Sequence, residues 1–318
     1  MALRQNGLSY TEISQMGGGI SKTVRSTRQR TFEELVNIGT NNAKKALMLG
    51  TTTLEAKSGY GLNLESEIAI LSAYQLVNSR SNCDIHSTWL GAHDFPTNTT
   101  REDYIDELIH KQLPEVCRLG IARWADVFCE PGWFTVDESK EILLASNKLG
   151  LRPRAHVDEF VDSNGLAMAA DIGCVSADHV ACSSDDARSK ADAAGVMQTF
   201  LPGTQYVMGM IDFPPMKSCL ENSWAFSIAS DFNPNCNSIS MPFVGSLATH
   251  RCGIDPIAAL VASTRNPATT FSDGEPPGCG SLTEGGNASL NILTTNSVEG
   301  WCQSPGMNPI ALTISNGN

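Results

Sequence analysis

No apolar run in these 318 residues approaches the ~20 that a bilayer-crossing helix requires. The opening, Met1-Ala2-Leu3-Arg4-Gln5-Asn6-Gly7, holds no apolar stretch that could serve as a signal peptide. A membrane partner is therefore not expected. Lys and Arg number 22 against 34 Asp and Glu, a formal charge of −12 with no basic stripe, which argues against nucleic acid as a partner. The ten cysteines are scattered, without a CxxC pair, so they read as reduced and mostly buried thiols of a cytoplasmic protein. No GxSxG elbow supports a serine nucleophile, and Lys57-Ser58-Gly59-Tyr60-Gly61 lacks the GxxxxGK[ST] spacing of a phosphate-binding loop. Its glycines instead suit a tight backbone turn over a ligand.

What remains is an alternation of helix and strand from residue 31 onward. Helical spacing over Thr31 to Leu49 ends at Gly50, and Thr51 to Lys57 reads as a β-branched strand. The pattern then predicts a helix from Leu64 to Val77, a strand from Cys83 to Gly91 and a helix from Glu102 to Leu119. Strands follow at 125–129, 152–157, 174–178, 196–201 and 225–229, with helices at 136–149, 163–170, 183–194, 217–221 and 256–264. Residues 202–216 read as a Pro- and Met-rich loop, and Gly17-Gly18-Gly19 as a lid or linker. Seven strand-then-helix units imply a parallel sheet covered by helices. That is one short of a closed eight-stranded barrel, which takes about 250 residues. An open doubly wound sheet needs no eighth strand and stays open as an alternative. Beyond residue 270 the texture changes, with two short β-like runs at 290–293 and 310–314 that are too few to form a stable sheet alone.

The residues able to do chemistry cluster by topology. Arg154 to Phe160, Ser176 to His179 and Ser230 to Pro234 each close a strand and put His156, Glu159, His179 or Asp231 where the next loop begins. In a barrel, that end of the strands is where active sites assemble. Imidazoles and a carboxylate converging there point to a divalent metal that activates water. A neutral His156 and an ionised Asp231 would be ligands, with Glu159 and His179 handling protons. His156 and Glu159, at i and i+3, converge only if the backbone turns just after His156. His93 also ends a strand and faces the same place. His86 reads as a packed interior residue, and His110 and His250 as surface residues. A lone histidine is more often a hydrogen-bonded core or cap residue, so the reading rests on the recurrence.

Several runs are more specific than spacing. Gly17 to Ile20, Glu55 to Leu62, Leu90 to His93, Asp126 to Glu130, His156 to Glu159, Leu201 to Thr204 and Ser230 to Asn235 together resemble imidazolonepropionase, of the amidohydrolase superfamily. The resemblance implies an α/β fold, a (β/α)8 TIM-type barrel with a small β-sandwich built from both chain ends. It implies hydrolysis of the ring C–N bond of 4-imidazolone-5-propanoate to N-formimidoyl-L-glutamate, in histidine degradation, and a homodimer. One Zn²⁺ or Fe ion would be held by an HxH pair, a His and an Asp, the last two matching His156 and Asp231. His179 would match the residue that orients water and polarises the carbonyl, and Glu159 the acid/base that contacts the ring. Tyr10, Tyr60, His93, Asn233, Asn235 and Cys236 match substrate-binding positions.

No HxH occurs in the 318 residues. The expectation is a barrel, 1–270, without its first strand, followed by a sandwich remnant, 271–318. Purified alone, such a chain would bind Zn²⁺ weakly and show no measurable turnover, because two ligands are absent. Two further readings stay open: another cyclic amidase or a deaminase on the same barrel, and an inactive fragment. Tyr60 and the Asp231-Phe232-Asn233-Pro234 run favour the imidazolone family over the first.

Overall fold

The computed structural model describes residues 7, 12–13, 16–272 and 278–317. Tyr10 lies outside the described residues. Helix α1 (Gly19–Arg28) precedes α2 (Phe32–Met48), whose N-terminus is closed by a capping box between Thr31 and Glu34. Gly17-Gly18-Gly19, expected as a lid or linker, leads directly into α1, and Arg28 on that helix donates to the carbonyls of Gly61 and Leu62 at 2.6 and 2.9 Å.

The main sheet follows the expected units: β1 (Thr53–Lys57), β2 (Asp84–Ala92), β3 (Trp124–Cys129), β4 (Arg152–Pro153) with β5 (Ala155–Val157), β6 (Ser176–His179), β7 (Met197–Phe200) and β8 (Phe226–Ile228). Every pairing is parallel, and neighbours in the sheet are neighbours in sequence. A doubly wound sheet must reverse its strand order at a switch point. This order never reverses, so successive right-handed crossovers curl the sheet toward a barrel. The expected strand over 152–157 is broken at Arg154, and both pieces pair with β3.

Between the strands run α3 (Leu64–Arg80), α4 (Arg101–Glu107) and α5 (Leu113–Leu119) joined by a π turn, α6 (Val136–Lys148), α7 (Gly165–Ile172), α8 (Asp185–Ala193), α9 (Pro202–Met208) and α10 (Met216–Glu221). The π turn, Leu108–Gln112, sits just before Pro114, which has no N–H to continue the α ladder. Helices also correct the sequence reading, α1 among them, since none was expected before Thr31. Residues 202–208, expected as loop, form α9, because Pro202 takes a first-turn position where its missing N–H costs nothing. Helix α11 (Met241–His250) was not foreseen either, and again a proline, Pro242, lies in the first turn. The chain closes with α12 (Pro256–Ser263), α13 (Arg265–Ala268), β9 (Leu290–Leu293) and β10 (Ile310–Ile314), the last two antiparallel. Asn291 and Asn308 tie this small sheet to the end of α2 through the carbonyls of Gly50 and Met48. Trp301, buried, packs over Gly245 of α11 and donates to the Pro256 carbonyl at 2.9 Å.

Candidate active site

Four chemically competent side chains meet at the C-terminal ends of the strands because the backbone leaves each strand abruptly. Asp158, His179 and Asp231 all adopt positive φ, at 53°, 72° and 49°. That region is costly for residues other than glycine and persists where surrounding contacts enforce it. Asp158 supplies its own enforcement. Its fully buried carboxylate accepts from the amides of Ser163, Gly165 and Leu166 at 3.0 Å each, and from the hydroxyls of Ser163 and Ser183. The turn it holds lets His156 and Glu159 face one another's side, as their spacing requires.

Glu159 Oε2 lies 3.6 Å from His179 Nε2, and the His156 and His179 rings are 5.3 Å apart. Burial, aided by the charges of Asp231 and Glu130, pushes the Glu159 carboxyl well above the usual range. Burial also pulls His179 down to about 4. His179 is therefore neutral near pH 7. The Glu159 amide donates to Glu130 Oε1 at the end of β3, and burial raises Glu130 to about 7.

Asp231 accepts from the Thr204 hydroxyl and, at 2.8 Å, from Asn233 Nδ2. Asn233 Oδ1 accepts from the amides of Asn235 and Cys236 at 2.7 and 2.9 Å, while the buried Cys236 thiol donates to the Ser230 carbonyl at 3.5 Å. In this structure these side chains shape the loop that carries Asp231. His93 bonds the Gly59 carbonyl at 2.9 Å and meets the Tyr60 ring edge-on, and burial lowers it to about 4. The loop over Ser58 to Gly61 does turn tightly, with Gly59 at φ 102°. Its amides are already taken: Gly59, Gly61 and Leu62 donate to the buried Glu67 carboxylate at 2.8, 2.6 and 2.9 Å. An internal anion fills the place a phosphate would occupy.

Below this layer lies a charged group that sequence reasoning missed. Lys57 Nζ sits 2.6 Å from Asp126, 3.0 Å from Asp178 and 3.0 Å from Glu55. Burial would lower the Lys57 pKa, but these three carboxylates more than offset it, and the net shift is upward. The visible signal was an alternation of charges inside apolar strands, Glu55-Ala56-Lys57 and Arg154-Ala155-His156, which points both members of each pair into the sheet's concave side. His86, read as an interior residue, is instead half-buried at the strand's start, bonded to Asp84 and edge-on to Phe271.

Asp126, His156 and Asp178 each offer a ligand atom within 4.8 Å of the others. The Lys57 ammonium already supplies the positive charge among these carboxylates, so a metal ion is better accommodated on the other side of His156. His179 Nδ1 is buried with no hydrogen-bond partner among the described residues. The His156 imidazole and the Asp231 carboxylate are donor types that suit a divalent ion such as zinc or iron. Among the described residues no helix is long and apolar enough to cross a membrane.

No protein-family profile matches the chain. It is 39% identical over 298 residues to an imidazolonepropionase of Symbiobacterium thermophilum, covering 92% of this chain and 70% of that protein. It is 33% identical to an imidazolonepropionase of Alkaliphilus metalliredigens, covering 100% of this chain and 75% of the relative. Among solved structures, a mutant atrazine chlorohydrolase from Arthrobacter aurescens, complexed with zinc and atraton, superposes with a TM-score of 0.69 at 13% identity. That match covers 90% of this chain and 72% of the other. A likeness at such low identity reports the fold alone.

Proposed function

The chain belongs to the imidazolonepropionase family, and from that premise we propose that His156, Glu159, His179 and Asp231 form the centre at which it hydrolyses 4-imidazolone-5-propanoate to N-formimidoyl-L-glutamate. Members of this family are hydrolases of cyclic-amide C–N bonds. The observation that carries the site assignment is the convergence of Glu159 and His179, 3.6 Å apart and both buried, beside Asp231 at one end of the sheet.

His156 and Asp231 would hold a divalent ion, Zn²⁺ or Fe²⁺; the 318 residues contain no HxH pair, so these two are the ligands assigned to this chain. Such an ion supplies Lewis acidity and lowers the pKa of water. Asp231, fixed by Thr204 and Asn233, accepts the proton of the attacking water. His179, neutral at pH 7, faces the scissile carbonyl and polarises it through its ring nitrogen. Glu159 donates a proton to the ring nitrogen that leaves as the C–N bond breaks, and its burial favours the protonated form. Tyr60 and His93 form the wall against which the planar ring is held, and we assign Tyr10, Asn233, Asn235 and Cys236 to the same substrate side. We further assign residues 1–270 to the barrel and 271–318 to a sandwich-type unit, in a cytoplasmic homodimer.

Glu159→Gln and His179→Asn test this reading. Each should lower kcat by about 10²–10⁴-fold in the metal-loaded holoenzyme, with product followed by mass spectrometry. Rates within threefold of the parent would remove both residues from the chemistry.

A further inference from the structure

The strongest geometric relationship behind the four residues above is a line of three groups, Lys57, Asp126 and His156, from three different strands. His156 Nδ1 lies 3.1 Å from both carboxylate oxygens of Asp126, which is wholly buried on β3. A carboxylate can only accept, so in the neutral ring the proton of this hydrogen bond belongs to Nδ1 and the other ring nitrogen, Nε2, is left bare. Asp126 cannot rotate away. Its Oδ2 is held by Lys57 Nζ at 2.6 Å and its Oδ1 by the Val127 amide at 2.7 Å. Lys57 is in turn pinned by Asp178 and Glu55. The Phe128 ring meets His156 at 87° with centroids 6.3 Å apart, so the imidazole plane is fixed as well as its tautomer.

We propose that Asp126 is a positioning residue for the metal centre: anchored by Lys57, it accepts the hydrogen bond of the His156 Nδ1–H and so leaves Nε2 to the ion. This rests on the assignment of His156 as a ligand. It explains why a lysine and two acids are buried under a site with which they share no reacting atom. A carboxylate on the distal nitrogen of a ligating histidine fixes its tautomer and raises its basicity, and loss of such a partner costs about 10–100-fold in metal affinity. Asp178 provides the comparison. It is equally buried, shares Lys57 at 3.0 Å, and bonds Ser176 rather than His156.

The test begins with the unaltered, metal-free full chain at a pH high enough to leave the rings neutral. Long-range ¹H–¹⁵N correlation of the histidine rings, with His156 identified by its loss in His156→Gln, should show Nδ1 protonated and Nε2 bare. A proton on Nε2 would overturn the proposal without recourse to any further variant. In Asp126→Asn the tautomer preference should be lost and Zn²⁺ affinity should fall 10–100-fold, whereas Asp178→Asn should leave the tautomer intact and change affinity by less than threefold. Equal losses in both variants would mean that the group acts only as packing, and the proposal would fail. Zn²⁺ added to the unaltered chain should shift the His156 Nε2 resonance. If it does not, while the tautomer is as stated, then the ligand assignment of His156 fails and not the geometry behind it.

Discussion

Glu159 and His179 face each other 3.6 Å apart, both buried. Burial moves the carboxyl up and the imidazole down, the direction opposite to the one a salt bridge would impose.

The same shifts give stability a pH signature with two opposed parts. His93 and His179 fall from 6.5 to about 4 in the folded chain. Both states are neutral above 6.5; as pH falls toward 4 the unfolded chain takes protons that the folded one refuses, and stability is lost. Glu130 acts the other way. Its folded value is about 7 against 4.5, so the folded chain keeps a proton that the unfolded chain releases, and stability is lost as pH rises from 4.5 through 7. Calorimetry should therefore find that Glu130→Gln raises Tm relative to the parent by about 3 °C more at pH 8 than at pH 5. His93→Gln should lose less Tm than the parent between pH 6.5 and 4.5. Parallel profiles for parent and variants would contradict both attributions.

Glu67→Ala should destabilise the chain by about 3–5 kcal/mol in denaturant unfolding. It strips the acceptor from the amides of Gly59, Gly61 and Leu62 inside a closed loop, leaving buried donors unsatisfied. It should also raise KM, because the loop carries Tyr60 and receives His93. A loss below 1 kcal/mol would mean that water replaces the carboxylate there.

Asp158→Ala should cost a similar amount, about 3–5 kcal/mol, by removing the bonds to Ser163, Gly165, Leu166 and Ser183 that enforce the turn after Val157. Its effect on kcat should exceed what partial unfolding explains, since Glu159 follows it directly. A folded, fully active Asp158→Ala enzyme would show that the turn does not depend on this carboxylate.

Much of this architecture was legible in the sequence. Alternation fixes the parallel sheet, and the i, i+3 spacing of His156 and Glu159 already demanded the turn that Asp158 makes. Helices α9 and α11 were not legible, because Pro202 and Pro242 read as breakers when each begins a helix. The Lys57–Asp126–Asp178 group was hidden for a different reason. Charges on separate strands become one network only when the sheet curls and brings their concave faces together, and no local pattern records that curvature. The His156, Glu159, His179 and Asp231 set was recoverable because strand ends mark a common height in a barrel. The loop from Gly59 to Leu62 reads rightly as a tight turn and not a phosphate site, but Glu67, from the following helix, could not be foreseen as the acceptor of its amides.

The most direct measurement is turnover of 4-imidazolone-5-propanoate by the metal-loaded protein completed with an HxH-bearing segment, before and after Asp231→Asn. Asparagine keeps the hydrogen bonds of Thr204 and Asn233 within reach, so the fold and Tm should hold. It lacks the charge that binds the ion and the basicity that takes the water proton. The account predicts that the parent converts the substrate to N-formimidoyl-L-glutamate and that the variant loses at least about 10³-fold in kcat/KM. A parent without this activity, or a variant within tenfold of it, would contradict the assignment of the site.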